Sequence, residues 1–177
     1  MRIIRVHTTS DIEAVRTLFR EYERFLGVDL CFQGFKEELA TLPGRYAPPQ
    51  GRLLLAQVGE QAAGCVALRP LQEAGVCEMK RLFVRPAYRG QGWGRGLATQ
   101  IIHEATALDY AVMRLDTLDT LERAMQLYET LGFRRCAPYY ANPLPGVVYW
   151  ESALLKPAPA LLAGSEHQRN HSGGASL

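Results

Sequence analysis

The residues best suited to chemistry lie in one run, Arg81 to Gly96. An apolar stretch, Leu82-Phe83-Val84, leads into Arg85 and Arg89, and glycine then occupies every second position: Gly90, Gly92, Gly94 and Gly96. From Leu97 to Ala107 there is no proline, and the segment reads as a helix. A helix start leaves backbone N–H groups unpaired and carries the positive end of the helix dipole. Glycine lets an anion approach those groups closely, because no Cβ intervenes. The combination suits a phosphate or pyrophosphate, with Arg85, Arg89 and Arg95 supplying charge. Two common phosphate-binding patterns fail. GxxxxGK[ST] needs a lysine, and none follows these glycines; GxGxxG puts Arg95 or Leu97 where its last glycine belongs.

What remains, Arg89-x-x-Gly92-x-Gly94, resembles the acetyl-CoA signature R/Q-x-x-G-x-G/A of the GNAT superfamily of N-acetyltransferases. The segment Ala124 to Phe133 is similar to that family's A-x-x-L-Y-x-x-x-G-F, and the resemblance extends over about residues 2–155. It implies an α/β (α+β) GNAT fold: a mixed central sheet of about seven strands with an antiparallel N-terminal part, a parallel pair around the cofactor crevice, and flanking helices. It also implies acetyl-CoA as acyl donor and no metal. The strand at Leu82, Phe83 and Val84 would meet the pantetheine arm, through the main chain of Leu82 and Val84. Arg89 and the N–H groups of Gly90, Gln91, Gly92, Trp93, Gly94 and Arg95 would hold the pyrophosphate. The thioester would enter a gap where two parallel strands diverge, near Val84 and Leu115.

Acetyl transfer to an amine sets three demands. Only about one alkylamine in a few thousand is neutral at pH 7, so a proton must be removed. The tetrahedral oxyanion needs a fixed donor such as a strand N–H. The CoA thiolate benefits from a nearby acid. By resemblance, Glu78 is the candidate base and Tyr128 the candidate acid. A carboxylate paired with Lys80 or Arg69 is the competing reading of Glu78, and a core tyrosine that of Tyr128. The family's asparagine three residues before the segment's alanine is replaced here by Leu121, which leaves Asp119 or Thr120 for that contact. Tyr139, Tyr140 and Asn142, in a proline-stiffened loop, and Phe32 and Arg69 are candidates for the acceptor wall. The implied activity is transfer to a primary amine of a small molecule. A protein lysine or N-terminal acetyltransferase and a non-catalytic acyl-CoA-binding module are the alternatives.

The elements that must position these groups are legible from periodicity. Strands are expected at Ile3–His7, Arg52–Val58, Ala62–Arg69, Val76–Val84, Ala111–Asp116, Phe133–Ala137 and Val147–Leu154. The second to fourth form an antiparallel meander. Strict alternation puts Glu78, Lys80 and Leu82 on one face and Met79, Arg81 and Phe83 on the other. Ser10 with Glu13 reads as a capping box for a helix ending at Gly27. Shorter helices are expected at about Phe35–Leu42 and at Thr120–Leu131. Residues 1–156 form one domain, and 157–177, rich in Pro, Ala, Gly and Ser, read as a tail. A net charge of +2 does not suggest a nucleic-acid partner, and no apolar run reaches a membrane-helix length. Four cysteines without a CxxC pair point to reduced thiols, a cytoplasmic protein and no zinc site. Homodimers are common in the family.

Overall fold

The computed structural model describes residues 2–31 and 34–154. Phe32 and the 157–177 tail lie outside the described residues.

The chain order is β1 (Arg2–Arg5), α1 (Thr9–Leu26), α2 (Phe35–Thr41), β2 (Arg52–Val58), β3 (Gln61–Pro70), β4 (Val76–Val84), α3 (Trp93–Ala107), β5 (Val112–Leu118), α4 (Glu122–Thr130), β6 (Arg134–Arg135) and β7 (Val147–Ala153). The strands form one seven-stranded sheet in the order β1-β2-β3-β4-β5-β7-β6. β1 to β4 are antiparallel, as expected for the meander. β4 and β5, joined through α3, are the parallel pair.

Each face of the sheet carries its own core. α3 and α4 cover one face, where Leu97, Ile101, Met113, Leu115, Phe133 and Trp150 are buried. α1 and α2 cover the other, with Val15, Leu18, Phe19, Phe35, Leu55 and Phe83. The long α1 places its apolar stripe on the sheet as the 3.6-residue period requires. Its start differs from the expected one. The Thr8 hydroxyl accepts from Asp11 N–H, and Asp11 returns a bond to Thr8 N–H, so the capping box begins at Thr8. Glu13 pairs instead with Arg16, one turn on. Glycine at 27 in the left-handed conformation ends the helix as expected (φ 66°).

Two irregularities of β4 make the site. First, β4 pairs with β5 only from Val76 to Glu78, opposite Val112 to Arg114; beyond that the strands part. β5 continues to Leu118 by pairing with β7. Second, β4 is bulged. Cys65 stands opposite Phe83 but Ala67 opposite Lys80, so Arg81 and Leu82 both face Val66. Arg81 takes the extra step with φ 58°. The bulge overturns the expected alternation. Leu82 moves to the core face of Cys77 and Met79, and Phe83 joins the opposite core.

Candidate active site

Where β4 and β5 part, a cavity of about 440 Å³ opens. Met79, Lys80, Arg81, Leu82, Phe83 and Val84 line one wall, and Asp116, Thr117 and Leu118 of β5 the other. α1 contributes Tyr22 and Phe25, α4 contributes Tyr128, and the loop before β7 contributes Asn142 and Leu144. Arg89 stands at the end toward the glycine turn.

The direction of the β4 main chain follows from its hydrogen bonds. Arg85 N–H donates to Ala63 O at 2.9 Å, so Phe83, two residues back, also bonds toward β3. The N–H and C=O groups of Leu82 and Val84 then point the other way, into the gap that β5 has left. Val84 O is met there by Arg89 Nε at 2.9 Å. This is the main-chain edge at which the family resemblance would place a pantetheine arm.

The glycine turn fits a diphosphate. Gly90 and Gly92 hold φ of 76° and 84°, and a Cβ built on either would have nothing within 4 Å. Gly92 caps α3, which begins at Trp93, not Leu97. The helix's first i→i−4 bond is Gly96 N–H to Gly92 O at 2.9 Å. The N–H groups of Trp93, Gly94 and Arg95 precede it and are the orphan donors of a helix start. The Trp93 ring is buried in the core, so only its backbone faces the turn. Arg89 is exposed, its guanidinium 4.3 Å from the Phe25 ring centroid. Arg95 bonds Thr130 and Gln91 bonds Ala87 O. Arg85 is engaged by α1: it forks onto Glu21 at 2.8 Å through two nitrogens.

Tyr128 is 7% exposed and packs its ring on Phe133 at 5.9 Å. It is both a core tyrosine and a cavity residue. Among the described residues its hydroxyl has no hydrogen-bond partner, and burial pushes its pKa above the usual 10. It therefore stays an O–H donor at neutral pH.

Glu78 does not line the cavity. It is fully buried: Oε2 accepts from Arg69 Nε at 2.6 Å, Oε1 from the Tyr139 hydroxyl at 2.8 Å, and Lys80 Nζ lies 3.7 Å away. The salt-bridged alternative is what the fold builds. Two carboxylates line the cavity, Asp116 on the β5 wall and Glu122 at the start of α4, and Asp116 is the one tied to Lys80. Its Oδ1 accepts from Lys80 Nζ at 2.8 Å, and its Oδ2 from Tyr140 at 2.7 Å and Asn142 at 3.3 Å. Burial would raise the Asp116 pKa, but the Lys80 ammonium and the bonds from Lys80 and Tyr140 outweigh it and hold the pKa below the ordinary range. Lys80 thus bridges two carboxylates. Tyr139, Tyr140 and Tyr149 pack ring against ring at 5.3–5.7 Å behind them. Of the three loop residues expected at the acceptor wall only Asn142 lines the cavity, with Leu144 beside it; Tyr139 and Tyr140 stand behind and bond Glu78 and Asp116. Arg69 likewise acts on Glu78. Thr120 lines the cavity beside Leu121, whereas Asp119 turns toward Gly146. Asp116 was not singled out from sequence, and Lys80 was read there only as a partner of Glu78. The one local signal was a charged residue, Asp116, inside a strand, where Asp is depleted.

A model of the Acetyltransferase (GNAT) family matches residues 12–133. An uncharacterized N-acetyltransferase of Schizosaccharomyces pombe is 43% identical over 152 residues, covering 85% of this chain and 93% of the relative. An IAA acetyltransferase of Azospirillum brasilense is 34% identical over 145 residues, covering 80% and 92%. Among solved structures, a Salmonella typhimurium protein determined with acetyl-CoA superposes with a TM-score of 0.67 at 19% identity, covering 89% of this chain and 96% of that one.

Proposed function

Because this chain belongs to the acetyltransferase (GNAT) family, and is an acetyl-CoA-dependent N-acetyltransferase, we propose that it acetylates a primary amine of a small molecule in the cavity between β4 and β5. The observation that carries this reading is the placement of a protonated Tyr128 hydroxyl and the Asp116 carboxylate on one cavity.

Acetyl-CoA supplies an activated thioester. The α3 N-terminus and Arg89 hold its diphosphate, and Leu82 and Val84 pair with its arm. Leu82 N–H, turned into the gap by the bulge, is the donor for the oxyanion. Tyr128 gives its proton to the departing sulfur. Asp116, ionised and fixed by Lys80 and Tyr140, attracts the acceptor's ammonium, whose proton leaves through water ordered at that carboxylate. Glu78 acts behind it: through Lys80, Arg69 and Tyr139 it fixes the charge balance of the wall, so its role is positioning. Direct attack of the amine on the thioester then needs no covalent enzyme intermediate.

The cavity volume supports a small acceptor. About 440 Å³ must house the end of the arm and the amine together. The test is release of CoA thiol from acetyl-CoA across matched panels of small amines and amine-bearing peptides. Turnover with small amines is expected; turnover confined to peptides would replace the reading with a protein acetyltransferase, and binding without any turnover with an acyl-CoA-binding module.

A further inference from the structure

Arg81 is held in a backbone conformation that suits glycine. Among the described residues only Arg81 and Asp109 combine a side chain with positive φ (58° and 64°), and Asp109 sits in the turn after α3. For an L-residue this region is sterically costly. What holds Arg81 there lies at the far end of its side chain. Nε donates to Glu38 Oε1 at 3.0 Å, and a terminal nitrogen to Glu38 Oε2 at 2.7 Å. Tyr46 donates its hydroxyl to the same Oε1 at 2.8 Å. The guanidinium lies 5.1 Å from the Phe35 ring and 5.9 Å from that of Tyr22. The Arg81 side chain is 3% exposed and that of Glu38 14%. A buried two-point fork of this kind fixes direction as well as distance. It ties α2 to the single residue that creates the β4 bulge, and the bulge turns Leu82 N–H into the cavity.

We propose that Glu38 is a positioning residue for acyl transfer: through the fork to Arg81 it holds the β4 bulge, and with it the oxyanion donor, in register with the thioester. This rests on the assignment of Leu82 N–H made above. The competing account is a clamp that only fastens α2 to the sheet.

Two substitutions at one position separate these accounts. Arg81→Ala and Arg81→Gly both delete the guanidinium and leave Glu38 with Tyr46 alone. They differ by one Cβ, and only glycine adopts φ near +60° freely. The probe is acetyl-CoA with hydroxylamine as acceptor, followed by CoA thiol release in excess of the enzyme-free aminolysis rate, with acetyl-CoA affinity measured by calorimetry. Arg81→Ala is expected to lower kcat at least tenfold, and Arg81→Gly to recover about five- to tenfold of it. Glu38→Gln is expected to lower kcat in the parent and much less in the Arg81→Gly background. Acetyl-CoA affinity should stay within about twofold throughout, since the diphosphate turn is untouched. Equal kcat for Ala and Gly, or a Glu38→Gln variant that loses melting temperature but not kcat, would overturn the proposal. A parent protein with no saturable thiol release would overturn the site assignment itself, and with it the positioning role that rests on it.

Discussion

Replacing Tyr128 with phenylalanine should separate activity from stability. The substitution removes one hydroxyl and leaves the ring on Phe133 and the cavity wall in place. That hydroxyl has no hydrogen-bond partner among the described residues, so no buried donor or acceptor is orphaned. Deleting an unbonded polar atom costs little; the change in unfolding free energy should be under about 0.5 kcal/mol in either direction. Activity should respond differently. General acids contribute about 10²- to 10⁴-fold. A thiolate with an ordinary pKa near ~8.5 is already a fair leaving group, so the effect belongs at the lower end, about 30- to 100-fold in kcat. A hundredfold loss is about 2.7 kcal/mol of transition-state stabilisation. Acetyl-CoA affinity should not change. The assay is CoA thiol release under saturating acetyl-CoA, beside chemical denaturation of both proteins. A kcat within threefold of the parent would remove Tyr128 as the acid. A stability loss above about 1.5 kcal/mol with matching loss of acetyl-CoA affinity would show a structural tyrosine instead.

Asp116→Asn should lower kcat about a hundredfold with acetyl-CoA affinity unchanged by calorimetry; because it also leaves Lys80 with only the more distant Glu78, it should cost about 3 kcal/mol in urea denaturation. The held-down pKa of Asp116 keeps it ionised above the carboxylate range, so an acid limb of kcat/KM above pH 6 should move with the pKa of whichever amine is assayed; a limb fixed across amines would place the titrating group on the protein. Gly92→Ala meets no neighbour but must hold φ 84°, so about 1–2 kcal/mol of strain should appear as roughly tenfold weaker acetyl-CoA binding in calorimetry, against an unchanged Kd if the turn does not carry the diphosphate. Glu38, Glu104 and Asp116 all have pKa values lowered in the fold: burial opposes their charge, and Arg81, the Arg5–Arg52 pair and Lys80 respectively outweigh it. Lowered carboxyl pKa values stabilise the protein above the unfolded values of about 4 and lose that contribution as pH falls through the folded ones; melting temperature should be level above about pH 5 and drop below about pH 4, and a protein most stable at pH 3 would contradict these pairings.

The sheet, its parallel pair and the glycine turn could be read from local pattern, because period-two apolar runs and alternating glycines are properties of neighbouring residues. The site's acid–base layout could not. Lys80, Asp116 and Tyr140 come from three elements, and only the fold makes Lys80 bridge Glu78 and Asp116. The bulge at Arg81 was hidden for a related reason. Met79-Lys80-Arg81-Leu82-Phe83 breaks the two-residue period, with two charged residues and then two apolar ones, but only the pairing with β3 shows that an extra residue is the cause, and the fork that holds it reaches to Glu38, 43 positions away in sequence. The helix starts slipped because Thr8 and Ser10 are both good caps and Gly92 caps α3 through its backbone conformation, which residue type alone does not reveal. Glu78 was correctly placed on the strand beside the site, but its burial depends on Arg69 and Tyr139 closing over it.

The account stands on the bend at residues 89–95 as the seat of the cofactor's diphosphate. A crystal structure of the complex with acetyl-CoA measures this directly. It should show diphosphate oxygens within hydrogen-bond distance of main-chain nitrogens between Gly90 and Arg95, and the thioester carbonyl facing Leu82 N–H. A diphosphate seated elsewhere, or an arm that avoids the β4–β5 gap, would contradict it.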